Sequence, residues 1–167
     1  MDKIVADIHS RFVEIATASF EALKQRIADN IRRKGKWASG KTAESMAVQS
    51  ERGERKSTVT LIGRPDFETL ETGNPPANRP VREFRDILYQ WSKDKSIPFK
   101  ADRERWWFAY RMAGIINEQG DRQYRSGKRA DVYSTAAQES ADAINEAINK
   151  EVGALATTIT TQILNAL

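Results

Sequence analysis

The stretch that decides the fold is Ser39–Pro80, SGKTAESMAVQSERGERKSTVTLIGRPDFETLETGNPPANRP. Its first residues fit one helical turn at Thr42–Ser45. In residues 46–51, Met46, Val48 and Ser50 then alternate with Ala47, Gln49 and Glu51, the period of two that is typical of a half-buried strand. A polar turn centred on Gly53 follows. The β-branched run Thr58–Ile62 can pair back on the first strand, so this stretch predicts a β-hairpin.

A second turn follows the hairpin. Gly63 and Pro65 end the strand, and Asp66 fits the capping position of a short turn that carries Phe67, Leu70 and Glu71. Gly73, Pro75 and Pro76 stop that turn. Strand character is confined to residues 39–80, so we expect the hairpin and turn to form the sheet core.

The segment before the hairpin, residues 2–34, has the pattern of one long helix. Its apolar residues recur at three-to-five-residue steps, as in an amphipathic helix: Ile4, Ile8, Phe12, Ile15, Phe20, Leu23, Ile27 and Ile31. Gly35 is a natural stop. A helix of this length measures roughly 50 Å, more than a small sheet can cover. We therefore expect part of its apolar stripe to meet another helix or another subunit.

The segment after the hairpin predicts more helix. Residues 81–130 contain two amphipathic patterns, one starting near Pro80 and one at Asp102, followed by the basic segment DRQYRSGKR at 121–129, which predicts a loop. Residues 131–167 predict a last helix, beginning at Asp131 or Ser134. Gly153 and four nearby threonines lower helix propensity, so an interruption near Gly153 is expected.

These elements predict an α+β fold, with a small antiparallel hairpin packed by long N- and C-terminal helices. We expect a single domain over residues 1–167. It comprises a long helix at 2–34, the hairpin and turn core at 39–80, a helical insertion at 81–130 and a C-terminal helix at 131–167.

The order of these elements resembles the tail-completion or neck proteins of tailed bacteriophages. The resemblance rests on Ser39-Gly40 with Ser45, the strand end Ile62-Gly63, Phe67, and Leu70-Glu71-Thr72-Gly73 between two amphipathic helices. Val132-Tyr133-Ser134 takes the place of the signal that opens the family's final helix, and residues 81–130 lie outside the match. The resemblance implies a structural virion protein rather than an enzyme.

The resemblance also implies an oligomeric state and a set of partners. The subunit would form a closed homomeric ring, a hexamer or dodecamer, between the head connector and the tail-tube or tail-terminator proteins. Viral DNA would pass through the lumen with weak, non-specific contacts. The protein would be located in the virion and assembled in the host cytoplasm.

Composition limits the other possibilities. The chain has 167 residues, 40% hydrophobic and 30% charged, with no cysteine, which excludes disulfides, thiol nucleophiles and thiolate metal sites. No apolar run approaches the length that spans a bilayer, so no membrane partner is expected. The net charge of +4 is too mild to identify a partner.

Three sequence patterns are candidates for catalytic, metal-binding or phosphate-binding sites, and none is favoured. His9 is the only histidine and sits alone on the first helix. Asp66, Glu68 and Glu71 form a local carboxylate cluster, but metal loops supply more oxygens at fixed spacing, so turn and capping roles are favoured. No catalytic, cofactor or metal residue is therefore predicted.

The third pattern, GKWASGKT at Gly35–Thr42, formally matches a phosphate loop. A phosphate loop follows a strand and opens a long helix. Here a long helix precedes the GKWASGKT segment, and a hairpin follows it soon after. A P-loop-like nucleotidase remains the less favoured enzyme hypothesis.

Two basic clusters are candidate DNA contacts, with the aromatic residues Trp37 and Tyr124 among them: Arg32, Arg33, Lys34 and Lys36, and Arg122, Arg125, Lys128 and Arg129. Solvated helix ends are the alternative interpretation. A nucleic-acid-binding helical protein is accordingly the alternative function.

Residues that are candidates for a subunit interface come from the Glu-x-Gly turn and the tryptophan-rich segment, because aromatic side chains anchor such contacts. They are Phe67, Leu70, Glu71, Gly73, Trp91, Trp106, Trp107 and Tyr110.

Overall fold

A computed structural model describes residues 2–53 and 56–164; for 2–8, 66, 159 and 162–164 it describes the backbone alone. The elements in the described residues are α1 (Asp2–Arg33), α2 (Lys41–Glu44), β1 (Ala47–Arg52), β2 (Ser57–Ile62), a 3-10 helix (Pro65–Glu68), α3 (Thr69–Thr72), α4 (Val81–Asp94), α5 (Asp102–Gln119), α6 (Arg122–Ser126) and α7 (Ser134–Leu164). The protein is 67% helical, with a two-stranded antiparallel sheet packed against long helices, which confirms the predicted α+β class.

Contacts group the chain into two compact units. The first contains residues 1–27, 47–62 and 134–167, and the second contains residues 28–46 and 63–133. Helix α1 therefore contributes its first part to one unit and its last turns to the other. Two compact units can belong to one domain, so the single-domain expectation stays a prediction.

In the first unit, α1 and α7 run antiparallel. Arg11 Nη1 pairs with Glu151 Oε1 at 2.7 Å, and Arg26, further along α1, pairs with Glu139, earlier in α7. Both pairs lie at the surface, where an ion pair contributes about 0–1 kcal/mol. Burial of the apolar stripe of α1, including Leu23 at 6% exposure, is therefore the larger source of stability.

The hairpin of the first unit has the predicted pairing. β1 and β2 are antiparallel with Ala47 opposite Ile62 and Arg52 opposite Ser57. Beyond Arg52, the Gly53 N–H donates to the Lys56 carbonyl oxygen at 2.9 Å. The residues of β2 alternate between half-buried and exposed, whereas in β1 only Val48 is half-buried. One face of the sheet thus packs inward and the other meets solvent.

The last helix is more regular than its composition predicts. α7 continues through Gly153 without interruption. The threonine hydroxyls that follow donate to carbonyl oxygens four residues earlier, as Thr157 does to Gly153 at 3.0 Å. Such bonds keep a threonine's hydroxyl satisfied inside a helix. The expected interruption at Gly153 is therefore wrong.

In the second unit, α4 and α5 form a helical hairpin. Its buried core is Phe84 from α4 against Ala113 and Ile116 from α5, with Val81, Leu88 and Met112 packed around them. The hydroxyl of Tyr89 donates to the Asp102 carboxylate, 2.6 Å from Oδ1, where α5 begins. The helical insertion predicted for this segment is thus built as two packed helices.

The segment predicted as a loop at 121–129 contains α6. The Asp121 carboxylate caps this helix by accepting from the Tyr124 N–H at 2.8 Å, and Gly127 ends it with φ of 64°. An aspartate at the first capping position and a left-handed glycine at the end are the usual signals of a helix, but the five residues between them lack an apolar periodicity. The loop prediction was wrong at Arg122–Ser126 for that reason.

A buried carboxylate ties this segment to the Glu-x-Gly turn. Glu71 is 0% exposed. Its Oε2 accepts from the Arg129 Nη2 at 2.9 Å and its Oε1 accepts from the backbone N–H of Tyr133 at 2.8 Å. Gly73 adopts φ of 81°, and a Cβ there would lie 2.4 Å from the Tyr124 nitrogen. The turn and the segment after α5 therefore fit together as one packed piece.

Candidate functional site

The second unit contains a wide groove of about 1450 Å³. Its walls come from the end of α1 and the loop after it, from residues 64–74, from α4 and α5, and from residues 121–130. We call this concavity the groove.

Basic residues dominate the charged lining of the groove. They number eight, against two aspartates, Asp94 and Asp121: Lys34, Lys36, Arg64, Arg79, Lys95, Arg122, Lys128 and Arg129. Two basic clusters that are far apart in sequence thus meet here. A concave surface with this excess of cations attracts anionic ligands.

The predicted DNA contacts divide into two sets. Five line the groove: Lys34, Lys36, Arg122, Lys128 and Arg129. The other three lie outside it with partners of their own. Arg32 stacks over the Trp37 ring at 4.3 Å, Arg33 donates to the Asn30 amide oxygen at 2.6 Å, and Arg125 donates to the Gln119 amide oxygen at 2.9 Å.

Local structure explains why Lys36 lies in the groove. Gly35 ends α1 in the left-handed region, at φ of 66°, and turns the chain toward α6. The Lys36 ammonium then donates to the Gln123 side-chain oxygen, and the Gln123 amide donates to the backbone carbonyl of Glu71. The side chain of Lys36 is therefore held by α6, which is itself hydrogen-bonded to Glu71.

Lys95 is one of three groove cations, with Arg64 and Arg79, that the sequence pattern did not single out. It follows α4 in the segment that breaks the helical periodicity, and its ammonium donates to the backbone carbonyl of Gly35. Burial lowers the pKa of Lys95, and the neighbouring charge of Lys36 lowers it further. Two ammonium groups are therefore held close enough to repel each other.

The two aspartates of the groove are already engaged. Asp94 accepts from the Gln90 amide at 3.0 Å. Asp121 accepts from the backbone N–H groups of Tyr124 and Asn74, each at 2.8 Å. Burial acts to raise the pKa of Asp121, but these hydrogen bonds and the charge of Lys36 outweigh burial, so the pKa lies below its ordinary value.

The apolar wall of the groove includes side chains that solvent still reaches. Ile87 is 56% exposed and Trp91 is 39% exposed, and both lie on α4. Trp37 is half-buried and also lines the groove. The groove thus offers flat aromatic surface beside its cations, a combination used to bind nucleic-acid strands.

A second exposed surface lies on α5, outside the groove lining. Trp106 and Tyr110 stack with centroids 5.6 Å apart, and Trp107 meets both edge-on at 5.1 and 6.0 Å. The three rings, 37%, 44% and 49% exposed for Trp106, Tyr110 and Trp107, form what we call the α5 aromatic cluster. Arg85 lies 5.0 Å over the Trp106 ring. The structure therefore brings together three of the eight predicted interface residues.

The other predicted interface residues are placed elsewhere. Trp91 and Leu70 line the groove. Phe67 is half-buried against the Tyr133 ring, with centroids 5.1 Å apart. Glu71 and Gly73 are buried by contacts within the chain, so an interface has no exposed surface of these two residues to use.

The residues weighed for metal or acid–base chemistry do not converge. Among the described residues, no group of three or more His, Asp or Glu side chains could hold a metal ion. His9 is half-buried on α1. Glu68 is exposed while Glu71 is fully buried, and the side chain of Asp66 lies outside the described residues.

The phosphate-loop match lacks the required context. Helix α1, not a strand, precedes it, and α2, which it opens, has four residues. Gly40 adopts φ of 83°, and a Cβ there would lie 2.8 Å from the Trp37 ring, so this glycine accommodates a tryptophan. Gly40 and Thr42 line the groove, but Lys41 does not.

Within the residues that the structure describes, no helix is long and apolar enough to cross a bilayer. Comparison of the chain with protein-family models, curated proteins and solved structures finds no match. The function is therefore argued from the chain's own residues.

Proposed function

We propose that this chain is a ring-forming neck or tail-completion subunit of a tailed phage, which joins the head connector to the tail and lets the genome pass. The observation that carries the proposal is the α5 aromatic cluster. Large aromatic side chains exposed together are uncommon on a monomer and anchor subunit interfaces. The resemblance of residues 39–80 to the neck-protein family supplies the biological setting.

The position of the cluster suits an interface between copies. It lies on a packed helix, in which the neighbouring residues Ala109 and Ala113 are both 0% exposed. The rings are therefore presented by a packed helical hairpin rather than by a loop. An anchor held in this way loses little conformational freedom when a neighbour binds.

The test is the assembly state of Trp107→Glu. A charge placed in the centre of a buried aromatic interface is left without a partner, so we expect the assembly to dissociate. Light scattering and electron microscopy of wild type should show closed particles of uniform order, alone or with head-connector and tail-tube proteins. The Trp107→Glu protein should be monomeric under the same conditions.

The matched control is Ile87→Glu. Ile87 is the most exposed of the large hydrophobic side chains and lies on α4, apart from the three rings, so this variant should still assemble. Wild-type protein that stays monomeric alone and with the other virion proteins would refute the proposal. So would rings that Trp107→Glu leaves intact.

A second candidate function is nucleic-acid binding. The observation that favours it is the groove, in which basic residues from two distant sequence segments lie beside exposed aromatic side chains. In a ring, such a groove would add contacts to the genome. In the absence of a ring it would be the main binding surface.

A further inference from the structure

We propose that the groove binds a single strand of nucleic acid, with Lys36 and Lys95 holding a phosphate group and Trp91 stacking on a base. This inference rests on the second candidate function and is independent of ring formation. It assigns a site to two lysines and a tryptophan rather than to basic charge in general.

The first step of the argument is the ammonium pair. Lys36 and Lys95 each have one protein acceptor, Gln123 and Gly35 respectively, and each ammonium carries three N–H donors. Among the side chains that the structure describes, no carboxylate forms an ion pair with either lysine. The remaining donors are available to a ligand.

The second step is the electrostatic repulsion between the two ammonium groups. Both line the same groove, and the charge of Lys36 makes the charged form of Lys95 less favourable. A phosphate group between them would replace that repulsion with two charge-assisted hydrogen bonds. The fold therefore favours a bound anion at this point.

The third step is the placement of Trp91. Lys95 follows Trp91 by four residues, and the Lys95 N–H donates to the Trp91 carbonyl at 2.9 Å. Residues with this spacing lie on one face of a helix, one turn apart. The exposed ring of Trp91 is thus next to the ammonium pair along the wall of the groove.

The aromatic wall favours a nucleic-acid strand over an acidic peptide. Carboxylates of a peptide would use the cations alone and leave Trp91 in water. An unpaired strand offers phosphates and flat bases in alternation, which matches cations beside a ring. A duplex keeps its bases stacked inside the helix, so it offers Trp91 no base face.

The experiment measures anisotropy of a labelled oligothymidylate of about 15 nucleotides, near the upper site size of strand-binding folds. Affinity is measured over a range of NaCl concentrations. Lys36→Gln with Lys95→Gln should flatten the slope of log K against log salt by about 0.7, the value for one phosphate contact. Trp91→Ala should weaken binding roughly tenfold at every salt concentration, as expected for one stacked base.

Matched controls separate the site from bulk charge. Lys100→Gln with Lys150→Gln removes the same charge outside the groove and should leave the slope unchanged. Val152→Ala removes an exposed apolar side chain outside the groove and should leave the affinity unchanged. Trp91→Phe and Lys36→Arg with Lys95→Arg should retain binding, which distinguishes loss of the site from loss of folding.

Three results would overturn the inference. One is wild-type protein that fails to bind the oligothymidylate at low salt. Another is a duplex of equal length, or poly-glutamate, that competes as well as the single strand. The third is control variants that lose as much binding as the groove variants. Particle mass measured on the same samples shows whether the ring has formed. Failure of strand binding is thereby distinguished from failure of ring formation.

Discussion

At the scale of single residues, Glu71 shows how this chain uses a charge inside a packed unit. A buried carboxylate is costly unless it is paired and hydrogen-bonded. Glu71 meets that requirement through the guanidinium of Arg129 and the backbone N–H of Tyr133, while its own backbone carbonyl accepts from the Ala130 N–H at 2.9 Å. The side chain and backbone of Glu71 therefore hold residues 129–133 against the Glu-x-Gly turn.

The pair is asymmetric, because the side chain of Arg129 is 63% exposed while that of Glu71 is 0% exposed. We predict that Glu71→Ala lowers the free energy of unfolding by about 1–3 kcal/mol, since it leaves the backbone N–H of Tyr133 without its acceptor. Glu71→Gln should cost less, because an amide oxygen can still accept from the Tyr133 N–H. Urea unfolding monitored by tryptophan fluorescence measures both values.

The control is Glu68→Ala, three residues earlier in the same turn. Glu68 is exposed, and substitutions at such positions change stability within about 0.5 kcal/mol. Equal effects of Glu68→Ala and Glu71→Ala would contradict the account of Glu71.

At the scale of elements, the two long helices differ in what stabilises them. The described part of α1 buries large residues, such as Ile27 and Ile31 at 2% exposure each. The last part of α7 is rich in threonine and has Val152 at 48% exposure. The helical structure of this part of α7 therefore depends on intrinsic helix propensity more than the helical structure of α1 does.

Gly153 is the position where that dependence can be measured. A Cβ added there would meet nothing within 4 Å, and the residue is exposed inside a helix. We predict that Gly153→Ala raises the free energy of unfolding by about 0.5–1 kcal/mol, the difference in helix propensity between the two residues. Circular dichroism during thermal unfolding measures the change.

Gly73→Ala is the contrasting variant, in which an added Cβ should lower the stability. Its backbone is left-handed, and a Cβ would lie 2.4 Å from the Tyr124 nitrogen and 2.5 Å from the Asp121 carboxylate. This variant should be less stable than wild type by the same measurement. A loss of stability in Gly153→Ala would show that α7 needs a glycine there for another reason.

At the scale of the whole molecule, the apolar stripe of α1 was expected to meet another helix or another subunit. In the described residues its large side chains are buried or half-buried, and α7 is a helix that pairs with α1. The exposed rings of the α5 aromatic cluster lie in the helical insertion. Assembly is therefore expected to involve the helical insertion rather than α1.

The stability of the molecule in acid provides a test of the second unit. The folded pKa of Asp121 lies below its value of 3.8 in an unperturbed chain, so folding favours the ionised form. This contribution is fully present above that value and is lost as pH falls through the lower folded pKa. We expect Asp121→Asn to show a shallower decline in stability than wild type over that acid range.

Urea unfolding at a series of pH values from neutral to acid measures this difference. Asp142→Asn, an exposed aspartate on α7, is the control and should decline as wild type does. Identical declines for Asp121→Asn and wild type would show that the hydrogen bonds from Asn74 and Tyr124 do not stabilise the ionised carboxylate.

The sequence alone determined the secondary structure of most of the chain. Apolar periodicity of 3.6 residues identified α1, α4, α5 and α7, and a period of two with β-branched residues identified the hairpin, because these patterns record which face of each element leaves water. Helix α6 was missed because five residues are too few to show a period. Capping residues were its only signal.

Tertiary structure decided what the candidate site is. Lys36 and Lys95 are separated by about sixty residues, and no local pattern indicates that they meet; only the packing of α4 and α6 near the end of α1 brings both into the groove. Likewise the Glu71 motif was visible as a turn, but its burial under Arg129 and Tyr133 was not. Local sequence specifies which elements form, whereas the proximity of distant charges depends on how those elements pack.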